Sequence, residues 1–341
     1  MRTLGTMSPK ERVLRALNRQ WVDRIPVGNP TSVATVECME ACGAYFPDVH
    51  LDAEKMATLA ATGHEILGFD TIAPYFSVQQ EAAAFGLKMN WGEVDSMPDV
   101  LENPYEEPED IIIPSDFLER PSIRTVLDAL RILKKEYGDH VCLVGKVMGP
   151  WTLSYHLHGT QNFLIKTILE PDKVRRFLDK LKGLSVMFAN AQFAAGADVV
   201  TVADHATGDL VSGACYRDFL LPVHQEMTKQ INGPTILHIC GNTTDRLDYI
   251  AQAGFTCFHF DSKVNPCQAH EIVDGRISLA GSINNPVTLF NGTPEDVRRE
   301  VIANIEAGIE IIAPECAVPL RTPNANLKAI VTAVEEYCRN H

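Results

Sequence analysis

Short apolar runs alternate with longer amphipathic stretches along most of the chain. The apolar runs have the length and β-branched content of strands and are bounded by Gly, Pro, Asp or Asn. Eight are found, at residues 24–29, 70–74, 141–148, 198–203, 235–239, 256–260, 277–281 and 309–313. Helical patterns between them include residues 172–194, 216–230, 244–253 and 294–307. This alternation predicts a parallel sheet, and eight such units predict an α/β protein built as one (β/α)₈ TIM barrel.

Two segments depart from the alternation. Residues 1–22 form a predicted N-terminal helical segment, in which Ser8 and Glu11 have the spacing of a capping box. We expect it to close the bottom of the barrel. Residues 85–114 are rich in Pro, Asp, Glu and Asn and predict an inserted hairpin and loop after the second strand. No linker or repeat interrupts the pattern, so we expect a single domain over residues 1–341.

Composition excludes several classes of function. The 341 residues are 45% hydrophobic and carry 30 Lys+Arg against 44 Asp+Glu, a net charge of −14 that disfavours nucleic acid and anionic membranes as partners. The nine cysteines lack regular spacing, which is typical of reduced thiols or metal ligands. No long apolar run or signal-peptide pattern is present in the sequence. We expect a cytoplasmic protein.

The end of the fifth predicted strand carries candidate metal ligands. His238 and Cys240 are two residues apart, and a strand with a period of two directs both side chains to one side. Cys316 follows the last predicted strand, and barrel closure brings the two strand ends together. One imidazole and two thiolates suit Zn²⁺ and leave a fourth position open for chemistry. The alternative is that the cysteines are buried apolar residues and that His238 binds a backbone carbonyl.

Several segments carry a family resemblance over nearly the whole chain. The densest are Leu-His-Ile-Cys-Gly-Asn at 237–242, Gly-Ser-Ile-Asn at 281–284 and Ile-Ala-Pro-Glu-Cys at 312–316. They resemble the uroporphyrinogen decarboxylase superfamily and, within it, the corrinoid:coenzyme M methyltransferases of methylotrophic methanogenesis. The decarboxylases carry an arginine-rich Met-Arg-Gln-Ala-Gly-Arg motif near the N-terminus, whereas Asn-Pro-Thr-Ser-Val follows the first strand here, at 29–33. Decarboxylation is therefore disfavoured.

The resemblance implies a catalytic zinc bound by His238, Cys240 and Cys316. It also implies that a small thiol such as coenzyme M, held as a zinc thiolate, takes the methyl group of a methyl-Co(III) corrinoid. Free methylcobalamin, or methylcobamide on a corrinoid protein partner, would be the donor. The alternatives are a metal-free decarboxylase-like lyase and a non-catalytic corrinoid- or thiol-binding protein.

Acidic and imidazole groups follow two other strands. Asp261 ends the sixth strand, and the resemblance implies a carboxylate there that fills the resting zinc's open position. Its alternatives are a loop cap or a partner for Lys263. Asp204 and His205 end the fourth strand, where they would orient His238 or contact the thiol. Their alternative role is loop capping.

The remaining candidates concern the substrates. Ser282 and Asn284 are pocket candidates because they follow the seventh strand. Arg321 is the nearest strong cation after Cys316 and is a candidate anchor for a sulfonate, the alternative being a surface charge. Tyr75 and Tyr155 follow the second and third strands and are expected to contact the corrin, the alternative being ordinary packing. The sequence alone identifies neither the thiol nor the corrinoid protein.

Overall fold

A computed structural model describes residues 5–341 of the chain. Residues 1–4, the beginning of the predicted N-terminal segment, lie outside the described residues. The strands are β1 (Thr71–Ile72), β2 (Met89–Asn90), β3 (Asp99–Val100), β4 (Cys142–Met148), β5 (Val199–Ala203), β6 (Thr235–Ile239), β7 (Cys257–Phe260), β8 (Ser278–Ile283) and β9 (Ile311–Pro314).

The helices include five of 13 or more residues, α3, α5, α8, α13 and α14, that cover the outside of the sheet together with shorter neighbours. They are α1 (Pro9–Leu17), α2 (Val36–Cys42), α3 (Ala53–Glu65), α4 (Gln80–Ala84), α5 (Pro121–Tyr137), α6 (Pro150–His158), α7 (Thr160–Leu169), α8 (Pro171–Ala195), α9 (Gly213–Cys215), α10 (Leu221–Gln230), α11 (Leu247–Ile250), α12 (Pro266–Val273), α13 (Pro294–Glu306) and α14 (Asn324–Asn340). Short π-helical segments, Tyr216–Leu220 and Asn285–Phe290, precede α10 and α13. No helix in the described part of the chain is long and apolar enough to cross a membrane.

Seven parallel strands form one curled sheet in the order β1-β4-β5-β6-β7-β8-β9. Every residue of these strands is buried, as expected for apolar strands covered on both faces. The seven predicted strands from residue 70 onward are confirmed to within two residues at each end. The fold is α/β and TIM-barrel-like, so the carboxyl ends of the strands meet at one rim.

The predicted first strand, residues 24–29, is wrong as a strand. Only Val27 forms a β-bridge, with Ile312 of β9. Pro26 has no N–H to donate, and the Val27 N–H is taken by the Asp70 carboxylate at 2.8 Å. The segment still lies between the two edge strands, because Gly28 N–H donates to Ile312 O at 3.1 Å and Asp70 N–H donates to Val27 O at 2.7 Å.

Helix α1 covers the amino-terminal ends of the strands. Its Ser8 cap accepts from the Glu11 N–H at 3.1 Å. Val13, Ala16 and Leu17 of α1 pack in a small buried cluster with Ala73, which follows β1, and with side chains of the other strands of the sheet: Cys142, Val144, Val199, Ile236, Cys257, Ala280 and Ile311. The lower end of the sheet is therefore closed, and the rim of carboxyl ends is left for a site.

The inserted segment lies after β1. Within residues 85–114, β2 pairs with β3 as a two-residue antiparallel ladder, with Met89 opposite Val100. Trp91, which follows β2, stacks on His50 with ring centroids 5.8 Å apart. The insertion is thereby attached to the segment between α2 and α3.

Candidate metal centre and substrate site

Three candidate ligands meet at the carboxyl ends of β6 and β9. His238 lies in β6 and Cys240 follows that strand, while Cys316 lies two residues beyond the end of β9. The Nε2 atom of His238 is 3.1 Å from Cys240 Sγ. The Sγ atoms of Cys240 and Cys316 are 3.3 Å apart. The structure thus brings together residues that are 76 positions apart in sequence.

The ring of His238 is oriented by its other nitrogen. Nδ1 lies 3.3 Å from the carbonyl oxygen of His259 in β7. A proton on Nδ1 donates to that carbonyl and leaves the Nε2 lone pair facing Cys240. His259 is itself held by a 2.8 Å contact between its Nε2 and Pro314 O, at the end of β9. Sequence reasoning missed His259, although it shares a strand face with Asp261 at the same two-residue spacing.

The two thiols are electrostatically unequal. A hydrogen bond from Cys240, reinforced by the neighbouring His238, holds the pKa of the Cys316 thiol below its ordinary value. The same hydrogen bond, together with burial, raises the pKa of Cys240. The two thiols are therefore coupled, and the groups around them favour a thiolate on Cys316 over one on Cys240. A thiolate is the form that binds a metal.

The arrangement fits a tetrahedral zinc ion. Zn–S bonds of about 2.3 Å and a Zn–N bond of about 2.0 Å place ligand atoms about 3.5–3.8 Å from one another. The distance from His238 Nε2 to Cys240 Sγ, 3.1 Å, and the distance between the Sγ atoms of Cys240 and Cys316, 3.3 Å, are both within about half an ångström of that range. The donor set, one imidazole and two thiols, is also one that zinc prefers.

His205 offers a fourth donor. One ligand atom each from His205, His238 and Cys240 lie within 4.8 Å of one another. Burial, with the neighbouring His238, lowers the pKa of His205 to about 4, so the ring is neutral at pH 7 and can donate a lone pair. The sequence placed His205 beside the site, as an orienting or thiol-contacting group. In the structure its ligand atom lies within 4.8 Å of those of His238 and Cys240, which makes His205 a further candidate metal ligand.

Asp261 is engaged by backbone groups. Its Oδ2 accepts from the Gly241 N–H at 2.8 Å, and its Oδ1 accepts from the Lys263 N–H at 2.9 Å. The Lys263 ammonium binds Asp209 instead, at 2.8 Å. These contacts match the loop-cap role. Ligation of a metal by Asp261 stays a prediction, and the Asp261 charge does act on the nearby Cys240.

Asp204 is fully buried at the end of β5 and caps α6. Its Oδ1 accepts from the Thr152 N–H at 2.8 Å, and its Oδ2 is 3.0 Å from His224 Nε2. The ring of His224 is fixed in turn by Tyr216 Oη, 3.0 Å from Nδ1. Both carboxylate oxygens thus bind groups of the surrounding helices, as in the loop-capping alternative.

Ser282 lies within β8 and Asn284 directly follows that strand, and both make hydrogen bonds to neighbouring elements. The Ser282 hydroxyl donates to Asn304 Oδ1 at 3.3 Å. Asn284 Oδ1 accepts from the Val287 N–H at 2.7 Å and so caps the π-helical segment. Their role as pocket residues stays a prediction.

Tyr75 and Tyr155 are both buried. The Tyr75 hydroxyl donates to the Glu81 carboxylate, and the Tyr75 ring lies 4.6 Å from the Lys146 ammonium. Tyr155 is 8% exposed and accepts a 2.5 Å hydrogen bond from Trp151 Nε1. Contact of either ring with a corrin stays a prediction. Sequence reasoning missed Lys146, whose signal is a charged residue in the middle of an apolar strand.

Arg321 lies at the protein surface. Its side chain is 66% exposed and its Nη2 is 2.6 Å from the Asp95 carboxylate in the inserted segment. This pair joins residues 226 positions apart in sequence. An anion-binding role for Arg321 stays a prediction, and in the structure its charge is already paired.

Comparison with known proteins gives a consistent result. Residues 8–337 match the family model described as uroporphyrinogen decarboxylase (URO-D). A methylated-thiol–coenzyme M methyltransferase of Methanosarcina mazei is 35% identical over 334 residues, which cover 98% of this chain and 90% of the relative. A methylcobamide:CoM methyltransferase of Methanosarcina acetivorans is 34% identical over 97% of this chain and 98% of its own. A solved methyltransferase structure from Methanosarcina mazei superposes with a TM-score of 0.94 at 33% identity, covering 97% of this chain and 99% of that one.

Proposed function

This chain belongs to the uroporphyrinogen decarboxylase family, and from that premise we propose that it is a zinc-dependent methyltransferase. The methyl group moves from a methyl-Co(III) corrinoid, free or on a corrinoid protein, to a small thiol of the coenzyme M type. Two relatives that align with nearly the whole chain are named for methyl transfer to coenzyme M. The observation that carries the proposal is the convergence of His238, Cys240 and Cys316 at the rim.

The three residues hold the metal and set its charge. Cys240 and Cys316 supply two thiolates, which balance the charge of a divalent ion, and His238 supplies a neutral nitrogen. A zinc ion held there would keep a substrate thiol deprotonated at neutral pH and so would make it nucleophilic. The His259 carbonyl, 3.3 Å from Nδ1, keeps the His238 ring in the tautomer whose Nε2 faces the ligand set.

In the methyl-transfer step the protein's main contribution is to position the thiolate sulfur, because no proton is transferred. The thiolate sulfur attacks the methyl carbon in line, the carbon–cobalt bond breaks, and its electron pair remains on cobalt, which leaves as Co(I). No proton moves at this step. The chain contributes a fixed sulfur position at the open rim, where the corrin face approaches.

The proposal is tested by metal analysis together with a methylcobalamin demethylation assay over several thiols. Wild-type protein should hold about one zinc per chain and turn over with a short thiol. Cys240→Ser and Cys316→Ser should lose both zinc and activity, because each removes a thiolate from a small ligand set.

A matched control is Cys267→Ser, which changes an exposed cysteine on α12. It should keep zinc and rate unchanged. Stoichiometric zinc in both site variants would refute the metal assignment. Protein that holds no metal and does not demethylate methylcobalamin would favour the lyase alternative, and zinc binding without turnover would favour a binding protein.

A further inference from the structure

Cys316 lies beyond the end of its strand, where regular strand pairing has stopped. Strand β9 ends at Pro314, and the Glu315 N–H still donates to Ile283 O in β8 at 2.9 Å. Past that point the backbone needs other partners to stay in place. Its position decides where the Cys316 sulfur lies, because a single side-chain torsion angle separates the sulfur from the main chain.

Side chains from distant segments bind the carbonyl oxygens of this part of the chain. His259 Nε2 in β7 lies 2.8 Å from Pro314 O. Asn29 Nδ2 donates to the carbonyl oxygen of Cys316 itself, at 3.1 Å. Asn29 thus contacts the backbone of a candidate thiol ligand that is 287 positions away in sequence.

Asn29 reaches this position through the segment between the two edge strands. The Gly28 N–H donates to Ile312 O in β9, and the Asn29 N–H donates to Thr71 Oγ1 in β1 at 3.1 Å. Gly28 permits the close approach to β1, because a Cβ atom at residue 28 would lie 2.7 Å from the Thr71 side chain. The segment therefore places Asn29 at the rim, next to the Cys316 backbone.

The side-chain amide of Asn29 is fully hydrogen-bonded. Its Oδ1 accepts from the Thr31 N–H at 2.9 Å and from the Thr31 hydroxyl at 2.7 Å. Its Nδ2 donates to Ser32 O at 2.8 Å as well as to Cys316 O. A backbone N–H only donates and a carbonyl only accepts, so the amide fits in one orientation. Asn29 is 1% exposed, so water does not compete for these bonds.

The loop that carries Asn29 is itself anchored in the sheet. Residues 29–33 are all buried. The Thr201 hydroxyl of β5 donates to Pro30 O at 2.5 Å, and β4 separates β5 from the edge strand β1. The loop therefore turns inward over the sheet and is held on both sides. A donor on such a loop is fixed before any metal binds.

We propose that Asn29 is a positioning residue that holds the Cys316 thiol in the ligand set of the metal centre. This inference rests on the proposed function and adds a residue that acts through Cys316, without contacting substrate or metal. Loss of the Asn29 donor frees the backbone beyond β9, so the 3.3 Å separation of Cys316 Sγ from Cys240 Sγ is no longer fixed. Groups that orient a metal ligand typically change metal affinity about ten- to hundredfold when they are removed.

The test compares Asn29→Ser and Asn29→Leu with wild type. The hydroxyl introduced by Asn29→Ser keeps an acceptor for the Thr31 N–H but is too short to donate to Cys316 O. Asn29→Leu keeps the approximate volume of the amide and has no donor, so an effect common to both variants does not come from a cavity. Both should weaken zinc binding about tenfold or more in a chelator competition.

Thr31→Val is the matched control, because it changes the same loop and keeps the donor to Cys316. It deletes the hydroxyl that donates to Asn29 Oδ1, while the Thr31 N–H still orients the amide. Its zinc affinity should stay within about threefold of wild type. General loosening of the loop would lower the affinity of Thr31→Val as well, so the comparison separates the position of Cys316 from the stability of the loop.

Substitution with cobalt(II) gives a second measurement, which does not depend on methyl transfer. Cobalt bound by thiolates absorbs through sulfur-to-metal charge transfer, and this band reports the thiolate ligands. At saturating cobalt the band should be weaker or shifted in Asn29→Ser and Asn29→Leu, and unchanged in Thr31→Val. Circular dichroism checks that each variant is folded. If this pattern is found and wild type methylates no thiol, the proposed function fails and the positioning role stands.

Two results would overturn the inference. One is wild-type zinc affinity and an unchanged cobalt spectrum in both Asn29 variants, a result that leaves the proposed function intact if wild type transfers methyl groups. The other is an equal loss of affinity in Thr31→Val, which would show that Asn29 only stabilises its loop. Should one Asn29 variant fail to fold, the other carries the same comparison.

Discussion

The buried ion-pair cluster beneath α1 gives a sharp prediction for stability. Asp23 is fully buried and accepts from Arg12 Nε at 2.7 Å and from Arg12 Nη2 at 3.0 Å. Asp23→Asn keeps the shape and one acceptor but removes the charge. Breaking one side of a buried pair typically costs about 3–5 kcal/mol. Asp70 still contacts Arg12 Nη1 at 2.7 Å, so we expect the low end, about 3 kcal/mol.

Equilibrium urea unfolding, followed by circular dichroism and tryptophan fluorescence, measures this change. With an m-value of about 3 kcal/mol/M, a loss of about 3 kcal/mol lowers the urea midpoint by about 1 M. Asp218→Asn is the control, because Asp218 pairs with Arg217 on the surface. It should leave the midpoint unchanged.

The stabilisation by the Asp23 charge should also depend on pH, and it should decrease as the pH falls. Burial alone raises the pKa of Asp23, but the hydrogen bonds from Arg12 and Met7 outweigh it and hold the pKa below its ordinary value. The stabilisation is therefore present above the unfolded-state pKa of about 3.9 and is lost as pH falls below it. The difference between wild type and Asp23→Asn should be constant from pH 5 to 8 and shrink below about pH 4. An unchanged midpoint at pH 7 would refute the assignment of the cluster as a stabilising device.

Three further predictions concern the metal centre. His205→Gln should weaken zinc binding about tenfold or more in a chelator competition while full occupancy is still reached at saturating zinc, and an unchanged affinity would place His205 outside the ligand set. Thiol binding at pH 7 should release about one proton, because a free thiol is mostly protonated and the metal-bound form is not. Calorimetry in buffers of different ionisation enthalpy counts that proton, and a count of zero would contradict thiol activation. Removal of zinc by a chelator should leave the far-ultraviolet circular dichroism spectrum unchanged, because the hydrophobic core does not depend on the metal. Unfolding of the chelated protein at room temperature would show that the fold does depend on the metal.

The strands were predictable because their signal is local. Apolar runs bounded by turn residues located seven of them, and a period of two placed His238 and Cys240 on one side of β6. Residues 24–29 show the limit of that signal. Their composition favours a strand, but Pro26 and the side-chain hydrogen bond to Val27 leave a single bridge.

The remaining features depend on contacts between distant parts of the chain. Strand-end residues all have similar local patterns, so the sequence did not distinguish His205, which reaches the ligand set, from Asp204, which caps α6. The pairing of Arg321 with Asp95 depends on where the inserted segment folds back. Lys146 could have been singled out from the sequence, because a lysine in the middle of an apolar strand is unusual: lysine is rarely buried without a partner for its charge.

The closure of the lower end by α1 has a kinetic consequence. Val13, Ala16 and Leu17 fill that end, so under the proposed function both substrates would enter at the rim. Under the proposed function, a thiol bound at His238, Cys240 and Cys316 would occupy the inner position, and a corrin arriving afterwards would cover it. Binding would then be ordered, with the thiol first and the thioether leaving last, and product inhibition by the thioether should be competitive against the thiol alone. In each turnover the spent corrinoid would then have to depart before the methylated product could leave.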